Sequence, residues 1–126
     1  MPPVEPVLPD PRANLNQGRF APIVARLRDA VLNSRGELAP SVRAAIEARA
    51  ASHAGRGPAP GDLPAPLASY VDKVALESYK VTDQDVSMLH AAGYSDGMIF
   101  EATVAAALGA ATGRLERGLA ALRMDR

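Results

Sequence analysis

The side chains able to do acid–base chemistry are concentrated in one run, "LESYKVTDQDVSMLHAAGYSDGMIF" (Leu76–Phe100), and one position beyond it. His90 shares a helical spacing with Val86, Leu89 and Gly93, which places it on the presumed inner face of a helix. A histidine there is either a general base near neutral pH or a core histidine with a hydrogen-bond partner. Glu101 is the only charged residue between Gly97 and Gly113. A carboxylate in so apolar a helix must be paired or must shift its pKa. It reads as a general acid–base on a pocket wall or, better, as the partner of an Arg, Lys or Tyr on a neighbouring helix. Tyr79 and Lys80 could share acid–base work if the lysine were desolvated. Successive helical residues point away from each other, however, so the two need not face one pocket. Asp83 and Asp85 follow Thr82 and are better explained as helix-capping acids.

These residues must be held by helices. Pro22 suits a first helical turn, and Ile23, Val24, Leu27, Val31 and Leu32 continue at helical spacing. "NSRGE" ends that helix, with Gly36 expected in the left-handed cap conformation. A second helix is expected from Pro40–Ser41 to about Ser52, with Val42, Ala45, Ile46 and the Arg49 stem as its stripe. "HAGRGPAPGDLP" (His53–Pro64) is rich in Gly and Pro and reads as an internal loop or lid over 53–65, with His53 facing solvent. A third helix carries Leu67, Tyr70, Val71 and Val74; Thr82 and Asp85 cap a fourth; Gly93 stops it. Ser95 and Asp96 open a fifth, running to about Leu122. Its first half is apolar or small all round, so it is expected to be enclosed by protein. Ala105, Gly109 and Gly113 form a small-residue ridge that another backbone can approach, from this chain or another subunit. No strand pattern appears. The fold class is all-α, about five helices, arranged as an antiparallel bundle.

Composition removes whole classes of function. The chain of 126 residues suits one domain, with 1–20 as a disordered, proline-rich arm and 21–126 as a single all-α domain. There is no cysteine, hence no disulfide, thiol redox chemistry or thiolate metal site. Two distant histidines argue against a histidine metal centre. Formal net charge is zero and no basic stripe is present, so nucleic acid is not an expected partner. The N-terminus lacks the pattern of a secretory signal, and Gly97–Gly113 falls short of a membrane span. A cytoplasmic protein without membrane contact and without cofactors is expected.

"LHAAGYSDGMIFEATVAAALGAATGRLERGLAAL" (Leu89–Leu122) resembles the C-terminal part of the alkylhydroperoxidase-like, carboxymuconolactone-decarboxylase-like family. The resemblance covers a little under half the chain. It rests on Ala92-Gly93-Tyr94-Ser95 before a long Ala-rich helix, and on Arg114 in that helix's tail. It implies an all-α fold and assembly into homo-oligomers, from dimer to hexamer, with Arg114 in a structural or intersubunit ion pair. Redox members carry Cys-x-x-Cys followed by a histidine. Family spacing puts those slots on Ser78, Val81 and Asp85, and none matches. Thiol-dependent peroxidase activity is therefore expected to be absent. Three functions remain open: a structural or partner subunit, possibly of a related enzyme; a non-redox lyase or isomerase using Glu101 and His90; or a small-molecule binding module.

Overall fold

The computed structural model describes residues 21–59 and 61–124. The proline-rich arm expected over 1–20 lies outside the described residues. Five α-helices follow in order: α1 (Ala21–Asn33), α2 (Pro40–His53), α3 (Ala65–Glu77), α4 (Asp83–Ala91) and α5 (Asp96–Met124), with a 3-10 turn at Ser78–Lys80 between α3 and α4. Among the described residues there is no strand.

Local signals explain the helix ends. Pro40 stands at the start of α2. At α4 the Thr82 hydroxyl accepts the Asp85 N–H, and the Asp85 carboxylate accepts the Thr82 N–H at 2.8 Å, closing a capping box. Gly93 ends α4 at φ 101°. Its N–H donates to the His90 carbonyl and the Tyr94 N–H to that of Leu89, both at 3.0 Å, which is the paired bonding of a Schellman turn. The Ser95 hydroxyl caps α5 by accepting the Met98 N–H. Gly36 differs from expectation. It is not among the positive-φ glycines, and its small size serves another purpose, described below.

The main core joins α2, α3 and α5 through Ile46, Ala50, Leu67, Val71, Ala102, Ala105, Ala106 and Ala110, with Leu32 and Leu38 closing the α1 end. A second cluster of Tyr70, Leu89 and Ile99 seats α4. The most extensive helix pairing is α2 against α5. A Cβ on Gly109 would lie 2.2 Å from the Glu47 carbonyl oxygen, and one on Gly113 would lie 2.8 Å from the Ala54 Cβ. The small-residue ridge is thus occupied by α2 of the same chain.

Those contacts also fix direction. Glu101 reaches Leu38, Gly109 abuts Glu47, and Arg117 would meet a Cβ on Gly55. Both numbers rise together, so α2 and α5 run parallel, and the expected antiparallel packing does not describe this pair. A parallel neighbour cannot be reached by a tight turn. α3 also runs parallel to α2, since Ala45 and Leu67 line one cleft and Arg49 bonds Asp72, and Leu63 and Pro64 lie back with Ser41 and Val42 near the start of α2 before α3 begins. That return accounts for a Gly/Pro-rich stretch inside the fold. Antiparallel order holds between α1 and α2, where Arg28 faces Glu47 and Val31 faces Arg43.

Candidate functional site

Glu101 is held by backbone, not by a cation. Its two carboxylate oxygens accept the Glu37 N–H, each at 3.0 Å, and one also accepts the Leu38 N–H at 3.0 Å. The expected Arg, Lys or Tyr partner is replaced by amides of the α1–α2 loop. The loop reciprocates, because the Glu37 carboxylate accepts the Ser95 hydroxyl at the start of α5. Two glycines make room for this clasp. A Cβ on Gly36 would sit 1.6 Å from a Glu101 carboxylate oxygen, and one on Gly97 would sit 2.0 Å from a Glu37 oxygen. The carboxylate is thus occupied by two backbone N–H groups, that of Glu37 being shared between its two oxygens.

His90 does not face inward. It is exposed on α4, and its Nε2 lies 2.6 Å from Asp96, itself exposed at the start of α5. The inward position belongs to its neighbour Leu89, which fills the cluster with Tyr70 and Ile99. One helical step turns His90 away from that contact. Glu101 and His90 therefore have separate partners and form no acid–base pair. Tyr79 is 81% exposed on the 3-10 turn. Lys80 pairs with Glu77 at 2.7 Å and lies 5.8 Å from the Tyr79 ring centroid. Both side chains are exposed, so the two do not share an enclosed pocket.

The family slots hold structural chemistry. Ser78 is an exposed residue of the turn, Val81 packs against the second cluster, and Asp85 is gripped by Lys73 at 2.9 Å and by Thr82. The Lys73 ammonium first, then the Thr82 N–H, holds the Asp85 carboxyl below the usual range. Lys73, Asp85, Tyr70 and Leu89 line a small cleft of 130 Å³. The Arg114 guanidinium donates to the Ala75 carbonyl in the last turn of α3 at 2.8 Å. It is a helix-end contact within the chain, where a cation complements the helix dipole. His53 ends α2, and its Nε2 lies 2.6 Å from Asp72, which Arg49 grips with two bonds of 2.7 and 2.8 Å. Among the described residues no cluster of three His, Asp or Glu side chains suits a metal.

Two buried charges were not singled out from the sequence. Glu47 and Arg43 are each only 2% exposed. Glu47 pairs with Arg56 at 2.7 Å, and Arg56 also reaches Thr112 and Glu116 at 3.0 Å, tying the start of the return segment to α2 and α5. Arg43 donates to the backbone carbonyls of Val31, Ser34 and Leu38, so it closes the end of α1. The available signal was position. Residues 43, 46, 47 and 50 recur at the spacing of a core face, with two charges among them.

The remaining feature is apolar. The first half of α5 is not enclosed on every side, as its composition suggested. Phe100 is 70% exposed, Ala107 and Ala111 are exposed, and Leu115 and Leu122 extend the same side. On α1, Ile23, Leu27 and Ala30 are also exposed. A groove of 280 Å³ between the two helices lies where these surfaces meet, lined by Ala30, Val31, Phe100 and Val104 and by the polar Ser34, Arg35, Arg43 and Glu101. By length and composition α5 is apolar enough to cross a membrane, and half of that stretch is buried against the rest of the fold.

No family model, curated protein or solved structure matches this chain.

Proposed function

We propose that the chain is a structural module that associates with copies of itself through the joined apolar face of α1 and α5. The carrying observation is that face, left exposed among the described residues and free of charge along its α5 stripe. Large exposed apolar patches on a folded protein mark interaction sites. Phe100, Leu115, Leu122, Ile23 and Leu27 together leave roughly 400 Å² open per copy, from typical side-chain areas. Two copies, with Val104 and the alanines added, come to about 1,000 Å², the threshold of a biological interface and the size of a weak, transient one. The chain's formal net charge is zero, so two copies meet without net repulsion.

The acid–base reading loses its support from the separate engagement of Glu101 and His90. The Ala92–Ser95 turn and the long Ala-rich helix support reading the chain as a divergent relative of the alkylhydroperoxidase-like family. On that reading it keeps helices suited to assembly and lacks the thiols. Sedimentation velocity on Phe100→Asp, with Tyr79→Asp as an exposed control off the face, tests the proposal. Phe100→Asp is expected to weaken self-association at least tenfold while Tyr79→Asp leaves it unchanged. Equal association of both variants and the unaltered chain would overturn it.

A further inference from the structure

Helix α5 carries a symmetry in its exposed stripe. Position 100 lies as far before the Ala107–Leu108 peptide as position 115 lies after it, and positions 104 and 111 are related in the same way. In an antiparallel pair whose two-fold axis passes between the helices level with that peptide, Phe100 of one copy stands opposite Leu115 of the other, and Val104 opposite Ala111. A large residue then meets a large residue at each end, and the alanines at the centre allow the two backbones to come close. A self-complementary patch of this kind is what an isologous two-fold interface requires.

The flanks agree with the same axis. Leu115 projects on the side of α5 that faces α1, as do Val104 and Glu101. Antiparallel pairing about the axis brings Leu115 of one copy beside Phe100 and Val104 of the other. That is the mouth of the groove whose far wall is Ala30 and Val31 of α1. The groove of 280 Å³ has room for a side chain, and its apolar residues Ala30, Val31, Phe100 and Val104, beside the polar Ser34, Arg35, Arg43 and Glu101, are the contacts open to a Leu115 there. Resting on the self-association reading above, we infer that two copies pair α5 against α5 in antiparallel fashion. The two-fold axis passes between Ala107 and Leu108, and each copy places Leu115 in the α1–α5 groove of the other.

The absence of cysteine makes the register directly readable. Ala107→Cys puts a thiol next to the axis, so two copies bring their thiols together. Phe100→Cys puts thiols 15 residues apart along the pair, about 22 Å at the helical rise, too far for a disulfide. Under mild oxidation, Ala107→Cys is expected to give mostly disulfide-linked dimer. Phe100→Cys and Leu115→Cys are expected to stay unlinked singly and to cross-link when mixed in equal amounts. Circular dichroism on each variant confirms that the helices remain. Efficient linking of Phe100→Cys to itself, as a parallel pair would give, overturns the inference and leaves the self-association reading standing. Association by sedimentation without linking of Ala107→Cys does the same. A chain that sediments as a monomer throughout removes both.

Discussion

Both carboxylate oxygens of Glu101 accept the backbone N–H of Glu37 at 3.0 Å, across 64 positions of sequence. The Glu37 side chain turns the other way and accepts the Ser95 hydroxyl. The α1–α2 loop and the start of α5 therefore hold each other by exchanged carboxylates, and Gly36 and Gly97 leave the space. This explains a lone charge in an apolar helix without assigning it catalysis.

The clasp predicts a coupled pair of substitutions. Glu101→Ala removes the carboxylate that accepts the Glu37 and Leu38 N–H groups and is expected to cost about 2 kcal/mol, given partial exposure. Gly36→Ala alone forces the Glu101 carboxylate to move and is expected to destabilise as well. In the Glu101→Ala background the same Gly36→Ala change should cost little, because the atom it strikes is gone. Urea unfolding of the four chains measures the coupling. Strict additivity would show that the clasp is not what Gly36 serves.

How far this arrangement was legible depends on range. Thr82 with Asp85, Gly93 and Ser95 act within a few residues of themselves, so their caps could be read directly from local spacing. The partner of Glu101 lies 64 positions away and is backbone, which every residue carries and no sequence pattern marks. The direction of α2 against α5 was equally hidden. A Gly/Pro-rich stretch reads the same whether it turns a corner or carries the chain back along a helix. The exposure of Phe100 failed for a different reason. Composition shows that a helix is apolar, not which neighbours cover each side.

Parallel packing of α2 on α5 gives a second test. Gly109→Ala gains about 1 kcal/mol of helix propensity. It also sets a methyl 2.2 Å from the backbone oxygen of Glu47, which cannot swing aside. Overpacking of about 1–3 kcal/mol should win. The net loss of about 0–2 kcal/mol is expected to lower the midpoint of thermal unfolding by up to roughly 10 °C. Gly118→Ala, with nothing within 4 Å, should instead be neutral or stabilising.

The pH dependence follows from Asp72. The Arg49 guanidinium first, then His53, holds its carboxyl below the ordinary 3.8. A folded value below the unfolded one means that its stabilisation is complete above the ordinary carboxylate range. It is lost as pH falls through the lowered folded value. Thermal stability is therefore expected to drop as pH is taken from 5 to below 3. Asp72→Asn should begin lower and lose less over that interval. Parallel acid limbs for the two chains would exclude this contribution.

Arg43 offers a test of the buried end of α1. Arg43→Met keeps the apolar stem and deprives three backbone carbonyls of their donor. A cost of about 3 kcal/mol is expected from buried acceptors left unsatisfied. Arg43→Lys should recover only part of it, because one ammonium cannot span the three positions. Chemical denaturation measures both, and full recovery by lysine would argue that charge alone matters there.

Light scattering on the unaltered chain across a hundredfold concentration range tests self-association most directly. The mass is expected to rise from 13.2 kDa toward twice that value in the micromolar range. A constant 13.2 kDa up to the highest soluble concentration would contradict it.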